Sequence, residues 1–207
     1  GGSFALAMRQ AGLVDHIAGF SASVHSRQKA LQMGAVDEVC DSIAQTVAHA
    51  DLVMLAVPVA TTAACMRDMA TVLDANALVM DVGSTKSDVV QAARDTLGSK
   101  LSGFVAAHPI AGKELAGIEH AESTLYRDRL VVLTPTEETD AQQLARAQSI
   151  WQAVGSKVDV LTPQDHDAAF AAVSHLPHLV AFALVHAITQ QPQGELFLSM
   201  AGPGFRD

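Results

Sequence analysis

Cysteine, aromatic residues and positive charge are all scarce in this sequence. Only two of its 207 residues are cysteines, Cys40 and Cys65, and they show no metal-ligand spacing. Isolated thiols argue against a disulfide framework and are typical of a reducing cytosol, so we predict a cytoplasmic protein. Aromatic residues make up 4% of the chain, so the core must be packed mainly from aliphatic side chains and alanine.

Basic residues are outnumbered by acidic ones, 13 against 22, which gives a formal net charge of −9. A surface of this sign repels nucleic acid. We find no apolar run that approaches the roughly 20 residues needed to cross a bilayer. The start also lacks the pattern of a signal peptide. The sequence therefore predicts neither a nucleic-acid partner nor a membrane partner.

Strand-like apolar runs alternate with helical patterns over most of the chain. We predict strands at residues 16–20, 52–57, 77–82, 101–107, 130–133 and 157–160, and helices at 26–33, 60–73, 87–97 and 140–154. This alternation is typical of an α/β domain with a mainly parallel sheet. At Thr162 and Pro163, which suit a helix start, the pattern becomes helical throughout. We therefore predict a sheet domain over residues 1–161 and the start of a helical domain over 162–207.

The first residues suggest a dinucleotide site. Gly1-Gly2-Ser3 opens a helix with no strand before it, and the chain ends in a loop after Gly202, so we expect an internal piece of a longer protein. If a strand and two fingerprint glycines preceded Gly1, Gly1 would be the third glycine of the fingerprint. That glycine lets helix and strand pack closely while the helix N-terminus faces a pyrophosphate. We assign Gly1 and Gly2 to cofactor binding.

The end of the strand at 16–20 bears on the choice of cofactor. An Asp or Glu usually binds a free ribose 2′-hydroxyl there, but this chain has Ser21, followed by Ser23 and Arg27. The missing acid removes repulsion against a 2′-phosphate, which Arg27 can bind in a bidentate manner. We therefore favour NADP over NAD, with these three residues as ligands. A serine-rich helix N-terminus with a solvated Arg27 explains the same residues equally well.

Two turns at predicted strand ends carry groups suited to proton chemistry. His108-Pro-Ile-Ala-Gly-Lys-Glu114 places an imidazole, with an ordinary pKa of about 6.5, where ligands gather in open sheets. Asp81-Val-Gly-Ser-Thr-Lys86 supplies Gly83 for a tight turn, the hydroxyl of Ser84 and the cation of Lys86. Each turn alone is also explained as ordinary structure. Together they predict a site for a substrate hydroxyl.

Ser174-His-Leu-Pro-His178 lies inside the long helical pattern. Pro177 removes a backbone donor, so we expect a kink there. His175 and His178 share one helix face. They fit a substrate-anion site, packed or capping histidines, or a metal site. Because no third ligand stands at characteristic spacing, we assign no metal.

These motifs, together with Ala-Gly-Pro-Gly-Phe-Arg-Asp at 201–207, resemble the prephenate/arogenate dehydrogenase family of tyrosine biosynthesis in kind and order. The resemblance runs from Gly1 to Asp207. It implies a Rossmann-type α/β domain followed by an all-helical domain that forms a homodimer. It also implies oxidative decarboxylation of prephenate or arogenate with NAD or NADP: hydride leaves the carbon that bears the ring hydroxyl, carbon dioxide departs and the ring becomes aromatic.

The resemblance further implies residue roles. His108 accepts a hydrogen bond or proton from the ring hydroxyl, and Ser84 helps to orient it. The residues expected to line the substrate pocket are Glu114, His175, His178 and Gly204. Those expected to join the cofactor site are Val57, Pro58 and Gly83. The arginine that binds the ring carboxylate in the family is expected beyond Asp207.

Two other functions remain open. Another hydroxyacid-type dehydrogenase would share the sheet and the helical domain, but usually carries a catalytic lysine in the latter, and no lysine follows Lys157. A nucleotide-sensing module would keep the fold without turnover. The sequence does not choose between prephenate and arogenate, because that choice depends on contacts to a keto or amino side chain.

Overall fold

The computed structural model describes residues 1–112 and 115–206. Contacts between backbone positions divide the chain into two compact units, Gly1–His166 and Asp167–Asp207, and each is treated by itself below. The helix that starts at Pro163 contributes its first turn to the first unit.

The first unit is built on a five-stranded sheet with the order β3-β4-β5-β6-β7. Its strands are β3 (Leu52–Leu55), β4 (Leu78–Asp81), β5 (Phe104–Pro109), β6 (Leu130–Thr134) and β7 (Lys157–Val160). Neighbouring strands pair in parallel except β5 and β6, which are antiparallel. The predicted mainly parallel α/β sheet is confirmed, and the antiparallel pair was not predicted.

Two short strands, β1 (Ala18–Gly19) and β2 (Glu38–Val39), form a separate parallel pair. β2 was missed because two residues give no periodicity. The helices of this unit are α1 (Gly2–Gln10), α2 (Val24–Gln32), α3 (Ile43–Val47), α4 (Val59–Ala70), α5 (Ser87–Thr96), α6 (Ala141–Ala153) and α7 (Pro163–Phe170), which continues into the second unit. Short 3₁₀ turns cover Gly98–Gly103 and Ile118–His120.

Helices cover both faces of the sheet, and the side chains of β4 show this directly. All four residues of β4 are buried. Leu78 and Met80 pack in one apolar cluster with side chains of α1 and α6. Val79 packs in a second cluster with side chains of α4 and α5. Since successive strand residues point to opposite faces, the two clusters are the two layers of a doubly wound domain.

The second unit is helical where it is described. A π-helical turn at Ala171–His175 leads into α8 (Leu176–Thr189), followed by α9 (Gly194–Ser199) and α10 (Pro203–Arg206). The sequence predicted a kink at Pro177, and the structure shows the irregular turn just before this proline. Proline lacks the N–H that an α-helix needs, and the wider turn absorbs that loss.

The prediction that no apolar run approaches bilayer length is wrong. The helical segment Pro163–Thr189 has 27 residues and is long and apolar enough to cross a membrane, judged by length and composition alone. No Asp, Glu, Lys or Arg lies between Asp167 and Glu195. Histidines and a proline interrupt the apolar letters in this stretch, and they hid its length. Large apolar side chains of α8 are exposed in the single chain, among them Leu179 and Phe182.

Candidate active site and cofactor site

The N-terminal glycines allow the start of α1 to approach its surroundings closely. A Cβ on Gly1 would lie 3.2 Å from the Cβ of Ala56, which follows β3. A Cβ on Gly2 would collide with the side chain of Ile118. The carbonyl of Gly1 accepts the first helical hydrogen bond from Ala5. A helix N-terminus packed this tightly against a strand end fits the place of a dinucleotide pyrophosphate.

The segment after β1 forms the N-terminus of α2. The hydroxyl of Ser23 caps the helix by accepting from the N–H of Ser26 at 3.2 Å, and Ser21 Oγ accepts from the N–H of Ser23 at 3.3 Å. Both hydroxyls thus have a structural task in addition to any contact with a cofactor.

Arg27 is held against its surroundings rather than solvated. Its guanidinium lies 5.5 Å from the centre of the Phe20 ring and donates to the carbonyl of Cys40. A second guanidinium nitrogen stands 3.9 Å from the carboxylate of Asp41, which is almost fully exposed. Stacking on Phe20 orients the planar fork at the end of β1.

Two further predicted cofactor residues lie between β3 and α4. Val57 is half-buried and Pro58 is exposed at the N-cap of α4. The Pro58 carbonyl accepts from the N–H and the hydroxyl of Thr61, both at 2.8 Å. This bonding fixes the turn after β3, the same segment that Gly1 approaches.

A buried ion pair joins the end of β4 to β5. Lys86 Nζ lies 2.5 Å from Asp81 Oδ2 and donates to the carbonyl of Ala107 at 2.7 Å. The Asp81 carboxylate also accepts from the N–H groups of Gly83 at 2.7 Å and Ala107 at 3.0 Å. We call these residues, Asp81, Gly83, Lys86 and Ala107, the β4–β5 clamp.

The ion pair of the clamp is isolated from solvent. Asp81 is 2% exposed and Lys86 is fully buried. Burial raises the pKa of Asp81 above its ordinary value, and the adjacent ammonium and the two N–H donors oppose that rise. The sequence analysis offered Lys86 as a cation at the mouth of the site. The structure shows instead a buried lysine that binds the backbone next to His108.

Gly83 and Ser84 form the turn that the clamp holds. A Cβ on Gly83 would lie 2.9 Å from the Asp81 carboxylate and 3.1 Å from Val59, so the turn requires glycine. Ser84 follows with an exposed side chain. A hydroxyl on a fixed turn at a strand end can meet a ligand without a change in the backbone.

His108 lies in β5, directly after the clamped Ala107. Its Nδ1 is 2.8 Å from Nε2 of His166, and the two rings meet edge to face with centres 5.0 Å apart. His108 is half-buried, whereas His166 is fully buried. The structure therefore brings His108 together with a second imidazole and holds its backbone through the clamp that also carries Ser84.

His166 was missed by the sequence analysis. It lies in the first turn of α7, which follows β7. The antiparallel β5–β6 pair sets His108 opposite Val132, which pairs with Asp159 in β7. His166 follows Asp159 by seven residues, and its contact with His108 joins positions 58 apart, which no local sequence pattern shows.

The remaining predicted residues lie in the second unit or outside the described part. His175 and His178 are exposed, and His178 stacks with Phe182 at 6.3 Å between ring centres. Gly204 is exposed in α10. Glu114 lies outside the described residues. Among residues 1–112 and 115–206, no group of three or more His, Cys, Asp or Glu side chains is arranged to hold a metal ion.

Comparison with known proteins agrees with this picture along the whole chain. Residues 4–160 match the family model described as the nucleotide-binding domain of prephenate dehydrogenase, and residues 162–207 match the model of its dimerization domain. The sheet domain is thus a Rossmann-like nucleotide-binding domain, and it is followed by a helical domain.

Two curated relatives are a prephenate dehydrogenase and a cyclohexadienyl dehydrogenase. Prephenate dehydrogenase of Bacillus subtilis is 33% identical over 100% of this chain and 56% of its own length. Cyclohexadienyl dehydrogenase of Zymomonas mobilis is 34% identical over 80% of this chain and 55% of its own. The chain belongs to the prephenate dehydrogenase family. It spans about half the length of these curated relatives.

Solved structures give the same result. Prephenate dehydrogenase from A. aeolicus, crystallised with hydroxyphenyl propionate and NAD⁺, superposes with a TM-score of 0.92 at 39% identity, covering 100% of this chain and 72% of that one. Synechocystis arogenate dehydrogenase gives a TM-score of 0.84 at 33% identity, with 100% and 73% coverage.

Proposed function

We propose that the complete protein carrying this chain oxidatively decarboxylates prephenate or arogenate, passing a hydride to NAD(P) in tyrosine biosynthesis. The observation that carries the proposal is the β4–β5 clamp. Through the buried pair of Asp81 and Lys86, it ties the turn of Ser84 to the backbone next to His108. These are the two groups that the resemblance assigns to the ring hydroxyl.

In this proposal His108 accepts the proton of the ring hydroxyl as hydride leaves the carbon that bears this hydroxyl. Ser84 holds the hydroxyl oxygen in line with the imidazole. Proton removal avoids a protonated carbonyl in the transition state, and a positioned base typically contributes about 10²–10⁴-fold in rate. Loss of carbon dioxide then returns an electron pair to the ring, which becomes aromatic, and the oxygen regains a proton.

The residues around the start of α1 would hold the cofactor. Gly1 and Gly2 leave room for the pyrophosphate at the helix N-terminus, with Val57, Pro58 and Gly83 on neighbouring strand ends. A bound nicotinamide cofactor would supply the hydride acceptor. This chain's residues bind it and fix its position relative to His108.

Within that site we propose a preference for NADP. Ser21 replaces the usual acid, and Arg27 stacks on Phe20 with several donors of its fork still available to a phosphate. Asp41, beside Arg27, is the feature that would favour NAD instead. The A. aeolicus relative was crystallised with NAD⁺.

We propose the remaining roles from the family resemblance. Glu114, His175, His178 and Gly204 contribute to the substrate pocket, and residues 162–207 take part in a homodimer. The protein acts in the cytoplasm on a small-molecule substrate, with neither nucleic acid nor a membrane as partner. The exposed apolar surface of α8 is what a partner subunit would cover.

The function is tested with the complete protein, prephenate or arogenate, and either cofactor. We expect an aromatic product and stoichiometric NAD(P)H. His108→Asn should lower kcat by about 10²–10⁴-fold with unchanged cofactor affinity. A near-normal kcat in this variant would remove His108 from the mechanism. Turnover of simple hydroxyacids alone, or nucleotide binding without any turnover, would favour the other dehydrogenase class or a sensor.

Cofactor choice is measured as the ratio of kcat/KM for NADP and NAD. We expect the ratio to exceed one and to fall in Arg27→Met, while kcat/KM for NAD changes little. Arg67→Met, on α4, is the matched control and should leave the ratio unchanged. A wild-type preference for NAD would contradict the proposed NADP preference without affecting the reaction assigned above.

A further inference from the structure

The contact between His108 and His166 constrains where each ring carries its proton. Nδ1 of His108 and Nε2 of His166 are 2.8 Å apart, which is hydrogen-bond distance. A neutral imidazole has one N–H donor and one lone pair. One nitrogen of this contact must therefore donate and the other accept, so the tautomers of the two rings are coupled.

The fold fixes His166 from its own side. The Thr162 hydroxyl accepts from the N–H of Asp165 at 3.0 Å and donates to the Asp165 carboxylate at 2.8 Å, which caps α7. The N–H of His166 donates to the carbonyl of Thr162. Complete burial of the His166 ring prevents it from turning away to solvent. His108, held at Ala107 by the β4–β5 clamp, thus faces a nitrogen with a fixed position.

We propose that His166 is a positioning residue. It accepts a hydrogen bond from the Nδ1–H of His108 and so leaves Nε2 of His108 as the acceptor for the substrate hydroxyl. This rests on the function proposed above, in which His108 is the base. With the opposite arrangement His108 would carry its proton on Nε2. It would then present a donor to the hydroxyl and could not take its proton.

The same contact supports His108 after proton transfer. The imidazolium then donates from Nδ1 to a neutral imidazole, and hydrogen bonds from a charged donor are the stronger kind. His166 therefore stabilises the charge that forms during the reaction without touching the substrate. A carboxylate performs this orienting task in the Ser-His-Asp triad, whereas here it falls to a neutral ring.

Two substitutions separate this role from simple packing. In His166→Gln the side-chain amide keeps a hydrogen-bond acceptor within reach of His108, whereas His166→Leu keeps an apolar filling of the site and no acceptor. We expect His166→Leu to lower kcat by about 10²-fold with KM for both substrates nearly unchanged, and His166→Gln to recover most of that loss. Equal loss in both variants, or no loss in either, would overturn the proposal.

The tautomer is measured directly by nitrogen NMR of histidine-labelled protein without substrate, with the His108 signals assigned from His108→Asn. We expect the Nδ1–H form of His108 in the wild type and in His166→Gln. His166→Leu should shift His108 towards the Nε2–H form. An Nε2–H wild type, or a His108 tautomer that His166→Leu leaves unchanged, would refute the role of His166.

The NMR measurement needs no turnover, so it tests the role of His166 independently of the proposed function. The Nδ1–H form in a protein that turns over neither cyclohexadienyl substrate would contradict the proposed function and still support the assignment of His166. Thermal unfolding and NAD(P)H binding of both variants provide the control for folding.

Discussion

Tyr126 is the only tyrosine of the chain, and it shows what burial does to a single side chain. It is 4% exposed and packs edge to face against Trp151, with 5.1 Å between ring centres. Burial disfavours the phenolate and raises the pKa of Tyr126 to about 12. An exposed tyrosine ionises near pH 10.

The sign of the resulting pH dependence follows from which state binds the proton. Between about pH 10 and 12 the unfolded chain loses the phenol proton while the folded chain keeps it. Stability is therefore unaffected by Tyr126 below this window and falls by roughly 2–3 kcal/mol across it. Phenolate absorbance should rise only near pH 12 or together with unfolding seen by circular dichroism. A rise near pH 10 in folded protein would contradict the buried position.

Proton chemistry at single residues was partly visible in the sequence. His108 and Ser84 stand in turns whose residue types already point to a ligand. His166 was not predictable, because its relevance depends on a contact between residues 58 positions apart. Lys86 was correctly placed in the turn after β4, but its burial against the Asp81 carboxylate was not predicted, because no local pattern shows that a lysine will be buried.

Between elements, the β4–β5 clamp is the contact whose loss should matter most. Lys86→Met leaves the Asp81 carboxylate buried without its cation, and Asp81→Asn leaves the ammonium in the same situation. Breaking a buried pair from one side typically costs about 3–5 kcal/mol. We expect each single variant to lose about that much of its free energy of unfolding in urea, and the double variant to lose less than the sum.

The exposed pair of Arg94 and Glu138 provides the comparison. These side chains meet at 3.1 Å on the surface, where solvent screens the charges. Arg94→Met should therefore change stability little. If Lys86→Met is as well tolerated as Arg94→Met, the clamp does not hold β4 and β5 together. If kcat of Asp81→Asn, corrected for the fraction of folded protein, is still lower than in the wild type, the result would support a link between the clamp and His108.

The arrangement of elements followed from the sequence wherever a strand was long and apolar. β3, β4, β6 and β7 were each predicted within two residues of their observed bounds. The prediction for β5 was wrong at its start, because residues 101–103 belong to the 3₁₀ turn Gly98–Gly103 and the strand covers Phe104–Pro109. The direction of β6 was not predicted, since the residues at 130–133 read the same in either orientation. The apolar length of Pro163–Thr189 was underestimated because histidines were counted as interruptions.

For the whole molecule, the open question is what covers α8. Large apolar side chains are exposed along it, including Leu179 at 65% and Leu184 at 52%. A monomer rarely leaves a contiguous apolar surface of this kind in water. Residues 162–207 match a dimerization domain, so we expect a second subunit rather than a bilayer to contact this surface.

Sedimentation of the complete protein tests that expectation. The wild type should sediment as a dimer without detergent. The pair of changes Leu179→Glu and Leu184→Glu should raise the dimer dissociation constant by about 100-fold or more, because burying a charge costs several kcal/mol. Val72→Glu, at a position 42% exposed in the first unit, is the control and should leave the dimer intact. A monomeric wild type that partitions onto lipid vesicles would instead assign the surface of α8 to a membrane, since a covered dimer face would not be available to lipid.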